Sequence, residues 1–210
     1  IFENEVRSSV TTGSGIGGDW GDYDNNGLMD LLVVSDVEPI TLFHNEGSGV
    51  FTPVNVPAFD ASRVSSFGAA FGDYDNDGLL DLFVAGSGRN ALYRNTGNGV
   101  FVEETKTQAL AVADNSFSCS WVDFDNDGFL DLFIANGSDG GDTPNLLFRN
   151  NGNGNHWVKF RLAGTVSNRA AIGAKVRVRA RIQGRDAWQM REITGGDGYG
   201  ATRPLEAHFG

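Results

Sequence analysis

The chain has 210 residues, of which 40% are hydrophobic and 29 are glycine, so it can build an apolar core with many tight turns. No apolar run reaches the roughly 18 residues that a membrane span requires, and the formal net charge of −11 disfavours nucleic acid as a partner. Residues 1–154 carry 6 Lys/Arg against 23 Asp/Glu, whereas residues 155–210 carry 10 against 4. This reversal of charge predicts two modules, one over 1–154 and the other over 155–210.

In chain order, the first module repeats two alternating motifs. The aspartate-rich motif reads DYDNNGLMD, DYDNDGLLD and DFDNDGFLD, and occupies residues 22–30, 73–81 and 123–131. The second motif reads IFEN, LFHN, LYRN and LFRN, and begins at Ile1, Leu42, Leu92 and Leu147. Two interleaved motifs with a shared period of about 50 residues indicate tandem structural units.

Each repeat reads as a series of short β-strands. Small residues with one large apolar residue precede each aspartate motif, as GIGGDW, SFGAAF and SFSCSW, and apolar runs follow it at 31–34, 82–85 and 132–135. The second motif gives another strand, and a Gly-rich turn leads to a further one such as Val50–Val54. About four strands per repeat is typical of a propeller blade, so we expect an all-β fold of three blades and a small C-terminal β module. The small residues would let the innermost strands lie close together.

The aspartate motif has the spacing of a calcium-binding loop. Side-chain oxygens recur at loop positions 1, 3, 5 and 9, position 7 can offer its backbone carbonyl, and glycine at position 6 allows a sharp turn. So many hard oxygen ligands suit Ca²⁺ better than Mg²⁺. The predicted ligands are Asp22, Asp24, Asn26, the Leu28 carbonyl and Asp30 in loop 1, Asp73, Asp75, Asp77, the Leu79 carbonyl and Asp81 in loop 2, and Asp123, Asp125, Asp127, the Phe129 carbonyl and Asp131 in loop 3. The chain would then bind up to three Ca²⁺ ions.

Two other interpretations fit these loops less well. An EF-hand needs a bidentate Glu at position 12 and flanking helices, but position 12 is Val33, Val84 or Ile134 within a strand-like run. Solvated acidic turns without metal would leave the alternating ligand pattern and its glycine unexplained. Asn26 offers an oxygen but no charge, so loop 1 is predicted to bind Ca²⁺ most weakly.

The pattern D-x-D-x-D-G-x-x-D joined to L-[FY]-R-N-x-G-x-G-x-F resembles the FG-GAP (VCBS) repeats of integrin alpha-subunit propellers and many bacterial secreted proteins. The resemblance covers residues 1–154 and implies calcium at the ligand positions named above. The C-terminal segments NHWVKFRLAG, SNRAAIGAKVRV, REITGGDGYG and EAHFG are similar to the ASPIC/UnbV domain, which implies an architecture but no reaction. With three loops, the sheet edges would need cover from further blades, from other chains or from the C-terminal module.

The C-terminal module contains an alternating basic segment at 175–181. Lys and Arg alternate with Val and Ala there, which predicts a half-buried strand with a cationic outer face, and Trp188–Ile193 would return as its partner strand. The cationic face could be a solvated strand, could pack against the acidic repeats, or could bind a polyanion.

Few residues are candidates for catalysis. His44 occupies the variable third position of the second motif, while His156 and His208 look like framework residues of the C-terminal module. Cys119 fills a small-residue position before loop 3, without a basic partner in sequence. Asp139 and Asp142 lie in a Gly-rich insertion that could be a connector or a binding loop. We expect no enzymatic activity.

These features favour a secreted, extracellular or periplasmic protein that uses calcium to stabilise an interaction or adhesion scaffold. Its partner would be a protein or a glycan. The alternative is a non-catalytic accessory domain or subunit of a secreted enzyme or a multi-protein complex.

Overall fold

A computed structural model describes residues 14–60, 65–107, 115–137, 143–166, 168–182, 184–196 and 203–210. These parts of the chain form fifteen β-strands and one short helix, α1 (Pro57–Asp60). Across them, no helix is long and apolar enough to cross a membrane. The IFEN motif at Ile1 and the insertion with Asp139 and Asp142 lie outside the described residues.

The first two repeats each form a four-stranded antiparallel sheet in which neighbours in sequence pair. Blade 1 contains β1 (Gly17–Gly21), β2 (Asp30–Val34), β3 (Thr41–Gly47) and β4 (Val50–Val54). Blade 2 contains β5 (Ser66–Gly72), β6 (Asp81–Gly86), β7 (Ala91–Asn95) and β8 (Phe101–Glu104). Every aspartate loop connects the first strand of its sheet to the second, as the sequence predicted.

The third repeat departs from the prediction of four strands. Blade 3 contains β9 (Asn115–Val122), β10 (Asp131–Gly137) and β11 (Leu146–Phe148), and within the described residues its sheet stops there. The next strand, β12 (Val158–Arg161), lies in the segment that the sequence assigned to the C-terminal module, and it pairs antiparallel with β15 (Glu206–Phe209) of that module. There the Phe160 ring meets Phe209 edge to face, at 5.9 Å between centroids, so an aromatic pair stabilises this pairing instead.

The blades pack face to face, and small residues on the inner strands permit the close approach. A Cβ added to Gly68 in β5 would lie 2.9 Å from the carbonyl oxygen of Phe117 in β9. A Cβ on Gly72 would lie 2.5 Å from the Trp121 ring, whose Nε1 donates a hydrogen bond to the Ala70 carbonyl at 3.1 Å. The predicted crowding of inner strands is therefore confirmed for blades 2 and 3.

The C-terminal module adds a hairpin to the β12–β15 pair. Strand β13 (Lys175–Ile182) alternates exposed and half-buried residues and pairs with β14 (Arg185–Glu192), so the half-buried strand and its returning partner are confirmed. Ile193, Ala207 and Phe209 form a small buried core, against which Val176 and Val178 pack.

Trp121 should be the main aromatic anchor between blades 2 and 3. Trp121→Ala would leave a cavity and remove the bond to Ala70, so we expect a loss of about 3–5 kcal/mol in unfolding free energy. Chemical denaturation checks this value. Trp188→Ala, at an exposed position of β14, is the control and should change stability little. Equal losses in the two variants would contradict the packing role.

Candidate metal site

Each aspartate loop folds around two residues with left-handed backbone. Asn25, Asn76 and Asn126 have φ of 60°, 53° and 60°, and the glycines two positions later, Gly27, Gly78 and Gly128, have φ of 89°, 87° and 87°. Asparagine tolerates this region and glycine occupies it without steric cost, which explains both residue types in every copy. The chain reverses twice within each loop, so its alternate side chains turn toward a common centre.

The first and last aspartates of each loop hold its ends. The first aspartate accepts a hydrogen bond from the loop glycine, as in Asp73 Oδ2 with the Gly78 amide at 3.0 Å. The last aspartate bridges two segments: Asp81 accepts from the Tyr74 amide at 3.2 Å and from the Asn95 amide at 2.8 Å. The same bonds recur at Asp30 and at Asp131. The aspartate motif and the second motif are therefore two halves of one structural unit.

The structure brings together some of the predicted ligands in each loop. Oxygen or nitrogen atoms within 4.8 Å of one another come from Asp24, Asp30 and His44, from Asp73, Asp75 and Asp81, and from Asp123, Asp125 and Asp127. Three other predicted aspartates, Asp22, Asp77 and Asp131, lie outside these compact groups. At loop position 5 the side chain accepts a hydrogen bond from the amide two residues on: Asp77 Oδ1 from Leu79 at 3.0 Å and Asn26 Oδ1 from Leu28 at 2.7 Å. The carbonyls of Leu28, Leu79 and Phe129 stay predicted ligands.

The donor set fits a hard cation. One carboxylate oxygen in each loop is buried and makes no hydrogen bond: Asp22 Oδ1, Asp75 Oδ1 and Asp123 Oδ1. A buried carboxylate oxygen without a partner is costly, and a bound cation would satisfy it. Carboxylates are the ligands that Ca²⁺ prefers, so these residues would hold calcium.

Burial dominates the electrostatics of loops 1 and 2. Desolvation raises the pKa of Asp73 to about 7, although Arg191 nearby opposes the rise. Desolvation and the neighbouring Asp77 raise the pKa of Asp75 to about 6, and that of Asp81 lies well above its usual value. In loop 1, burial raises the pKa of Asp22 to about 6 and that of Asp30 to about 7. Both loops therefore resist accumulating negative charge unless a cation balances it.

His44, on β3, lies against loop 1, although the sequence placed it only at the variable third position of the second motif. Its Nδ1 lies 3.4 Å from Asp30 Oδ1 and 3.5 Å from Asp24 Oδ2. The signal was its place in the second motif, directly before Asn45, whose backbone amide binds Asp30. His44 thus places a nitrogen atom against an otherwise oxygen-rich loop.

The residues equivalent to His44 behave differently in the other two repeats. Arg149 lies over loop 3, with Nε 2.5 Å from Asp125 Oδ2 and Nη2 2.9 Å from Asp127 Oδ2, and the hydrogen bond from Arg149 lowers the pKa of Asp125. Arg94 instead pairs with Glu104 at 3.3 Å, on the outer strand of its own blade. Arg149 therefore pairs with the carboxylates of loop 3, whereas the equivalent Arg94 does not pair with those of loop 2.

The C-terminal module brings basic side chains onto loops 2 and 3. Lys159 Nζ lies 2.9 Å from Asp123 Oδ2, and Arg191 lies 3.9 Å from Asp73 Oδ2. Burial lowers the pKa of the Arg191 guanidinium, and the charge of Asp73 partly offsets this effect. The cations of the second module thus meet the first aspartate of two loops.

Further contacts join the C-terminal module to the repeats, along a boundary called the seam below. Arg203 pairs with Asp19 at 2.9 Å, His208 Nε2 lies 3.0 Å from the Gly128 carbonyl, and Arg177 donates to the Gly27 carbonyl at 3.3 Å. A cavity of about 70 Å³ lies along the seam, lined by Asp73, Asp123, Lys159, Arg191 and Trp121 among others. The opposite charges of the two modules are therefore in direct contact.

The alternating cationic strand makes mostly local pairs. Arg179 pairs with Asp186 at 2.7 Å, and Lys175 lies 3.9 Å from Glu192, both across the β13–β14 hairpin. Of the three interpretations of this strand, the solvated face accounts for these pairs, and packing against the repeats accounts for Arg177 alone.

Comparison with known proteins agrees with this architecture. A model of the FG-GAP-like repeat matches residues 22–84 and 73–134, and a model described as ASPIC and UnbV matches residues 164–210. The repeat matches together span more than half of the chain, which therefore belongs to the FG-GAP-like repeat family and carries an ASPIC and UnbV domain after the repeats. These two families indicate an extracellular-type, β-propeller-like scaffold.

No curated protein matches the sequence. One similar solved structure is described as the structural basis of specific recognition of non-reducing terminal N-acetylglucosamine by an Agrocybe aegerita lectin. It shares 16% sequence identity with this chain at a TM-score of 0.46, and the match covers 84% of this chain and 51% of that one. The chain thus spans about half the length of that structure.

The stability of the metal-free protein should fall as pH rises from about 4 to about 7. The folded-state pKa values of Asp30 and Asp73 lie near 7, above the ordinary value of 3.8, so the folded state binds more protons than the unfolded state in this interval. The contribution of these groups is greatest at low pH and is lost as they ionise. Melting temperatures measured in chelator across this range, with and without excess calcium, check this. The two curves should diverge with rising pH; parallel curves would contradict it.

Added charge in loop 1 should strengthen its calcium binding. Asn26→Asp gives loop 1 the same residue as loops 2 and 3, and we expect about tenfold higher affinity. Calorimetric titration of a chain carrying Asp75→Asn and Asp125→Asn isolates this site. Val37→Asp adds the same charge at the opposite end of β2 and should leave the affinity unchanged. An effect no larger than that of this control would remove the argument that charge limits loop 1.

Proposed function

We propose that this chain is a calcium-stabilised, non-catalytic interaction scaffold that works outside the cytoplasm, in an extracellular or periplasmic setting. The observation that carries this is the position of the loops. The carboxylates that would hold the ions also contact the C-terminal module, through Lys159 on Asp123 and Arg191 on Asp73. Ligand residues and docking residues are thus the same side chains.

The loops also join one blade to the next. Asn25 of loop 1 donates through Nδ2 to the Gly78 carbonyl of loop 2 at 2.9 Å, and Asn76 of loop 2 donates to the Gly128 carbonyl of loop 3 at 3.0 Å. A loop held in its folded shape therefore presents its backbone to the loop beside it. Calcium, when bound, would supply the positive charge that lets the buried aspartates of neighbouring loops ionise together.

A non-catalytic role agrees with the environment of the reactive side chains. Cys119 is buried on β9, with its sulfur 3.8 Å from the Phe83 carbonyl. His208 contacts the Gly128 carbonyl, and His44 contacts the aspartates of loop 1. These groups have structural or ligand roles at their positions, so we assign the function to binding. The proposed partner is a protein or a glycan.

Removal of calcium should destabilise the fold. For one site, ligand at a hundredfold excess over its dissociation constant adds about 2.7 kcal/mol, which corresponds to about 5–10 °C in a chain of this size. Thermal melts in EDTA and in excess calcium measure this shift, with magnesium as the ion control. We expect calcium to raise the melting temperature well beyond magnesium.

The matched variant carries Asp24→Asn, Asp75→Asn and Asp125→Asn, one change at the third position of each loop. It keeps the backbone hydrogen bonds of the first and last aspartates and should melt at the same temperature in EDTA and in calcium. A wild-type chain that melts identically in both buffers would refute the proposal. So would a triple variant that still responds to calcium as the wild type does.

A further inference from the structure

Loop 1 differs from loops 2 and 3 in the kind of atoms that it brings together. The compact groups in loops 2 and 3 contain carboxylates alone, whereas the group in loop 1 joins Asp24 and Asp30 to the imidazole of His44. Metal ions differ in the ligands they prefer: Ca²⁺ takes oxygen, while imidazole nitrogen suits Zn²⁺ and related transition metals. The nitrogen atom at loop 1 is therefore a ligand type that calcium does not favour.

One ring nitrogen of His44 faces two carboxylates. Nδ1 lies 3.4 Å from Asp30 Oδ1 and 3.5 Å from Asp24 Oδ2. Zinc bonds to nitrogen and oxygen are about 2.0–2.2 Å long, so one ion could reach all three atoms. Nδ1 is withdrawn from solvent and makes no hydrogen bond with a described residue, and the same holds for Oδ1 of Asp22, a residue of this loop that is 1% exposed. A cation in loop 1 would provide the partner that these buried atoms lack.

The other ring nitrogen of His44 faces a third carboxylate. Nε2 lies 4.0 Å from Glu46 Oε2, and Glu46 Oε1 accepts a hydrogen bond from Thr52 Oγ1 of β4 at 2.8 Å. Metal-binding histidines commonly direct their second N–H at a carboxylate, which fixes the tautomer and the orientation of the ring. Glu46 thus favours a proton on Nε2, and Nδ1 presents its lone pair to the aspartates.

The pairing of histidine with glutamate distinguishes repeat 1 from the next two repeats. The second motif continues as LFHNE in repeat 1, LYRNT in repeat 2 and LFRNN in repeat 3. At the position of His44, Arg94 pairs with Glu104 and Arg149 pairs with the carboxylates of loop 3. Among these three loops, a nitrogen ligand and the carboxylate that orients it therefore occur together at loop 1 alone.

The group at loop 1 is accessible from one side. The side chains of Asp24 and His44 are each 25% exposed, whereas Asp30 is fully buried. Asp24 and His44 also line a cavity of about 890 Å³ between blades 1 and 2, together with Tyr23 and Asn98 among others. An ion can therefore enter from this cavity while the blades stay packed, and water can complete its coordination.

We propose that Asp24, Asp30 and His44 form a site that prefers a divalent transition-metal ion such as Zn²⁺ to Ca²⁺. The two carboxylates balance the charge of the ion, and the imidazole selects it, because nitrogen stabilises zinc far more than calcium. Glu46 is a positioning residue that acts through His44. The proposal concerns loop 1 alone and does not depend on whether loops 2 and 3 bind calcium.

The test is metal binding by loop 1, measured by calorimetry with Zn²⁺ and with Ca²⁺ in a chain that carries Asp75→Asn and Asp125→Asn. In buffer at about pH 8, where imidazole is neutral, Zn²⁺ should bind about a hundredfold more tightly than Ca²⁺. His44→Gln removes the nitrogen ligand but keeps a polar side chain, so zinc affinity should fall about a hundredfold and calcium affinity should change less than about threefold. His156→Gln, at an exposed position, is the matched control and should bind both ions as the parent chain does.

Nuclear magnetic resonance of the unmodified, ¹⁵N-labelled chain gives a second readout. With calcium in excess, added Zn²⁺ should shift the Nδ1 resonance of His44, and added Mg²⁺ should leave it in place. Zinc that binds without moving this resonance would overturn the proposal, as would a His44→Gln variant with the zinc affinity of its parent. A gain in affinity for both ions in that variant would also overturn it, since His44 would then act as a competing positive charge, as Arg149 does at loop 3.

Discussion

The structure depends on three carboxylates that are fully withdrawn from solvent. Asp30, Asp81 and Asp131 are completely buried, and each accepts backbone hydrogen bonds from its own loop and from the asparagine of the following motif. A buried carboxylate is tolerated only when such donors surround it. The loop, the second strand and the third strand of each blade must therefore adopt their relative positions together, and this requirement explains why two motifs some distance apart repeat in step.

Local pattern was sufficient to predict most of this arrangement. The apolar runs after each loop form β2, β6 and β10, and the alternation of Arg and Val over 175–181 forms a half-buried strand, because side chains alternate faces along any β-strand. The three-stranded sheet of blade 3 has a physical reason. LFRNNGNGNHWVKF continues the pattern of the earlier repeats, but the partner of β12 lies in the last residues of the chain, and pairing at that separation leaves no local trace.

In the candidate site, too, the sequence predicted the residues that follow a local pattern and missed those placed by tertiary contacts. Spacing identified the aspartates, because their periodicity is local, and the structure brings three of them together in loops 2 and 3 and two of them, beside His44, in loop 1. It did not identify His44, Arg149 or Lys159, whose approach to the loops depends on how a strand end or another module is placed over them. His44 and Arg149 both occupy the third position of the second motif, where LFHN, LYRN and LFRN carry His, Arg and Arg. This shared position is the sequence signal that relates these two residues to the loops.

The cations of the chain and a bound metal ion act on the same carboxylates, and this gives the three loops unequal properties. Loop 3 is neutralised by Arg149 and Lys159 from the protein itself, whereas in loop 2 the nearest module cation, Arg191, stands 3.9 Å from Asp73. In loop 3 these side chains offset part of the carboxylate charge, whereas within the described residues no cation lies at hydrogen-bond distance from the buried Asp73 and Asp81 of loop 2. Loop 2 lies between the other two and bonds to both through Asn25 and Asn76. Loop 2, whose buried aspartates lack a close protein cation, is thus also the loop that is hydrogen bonded to a loop on either side.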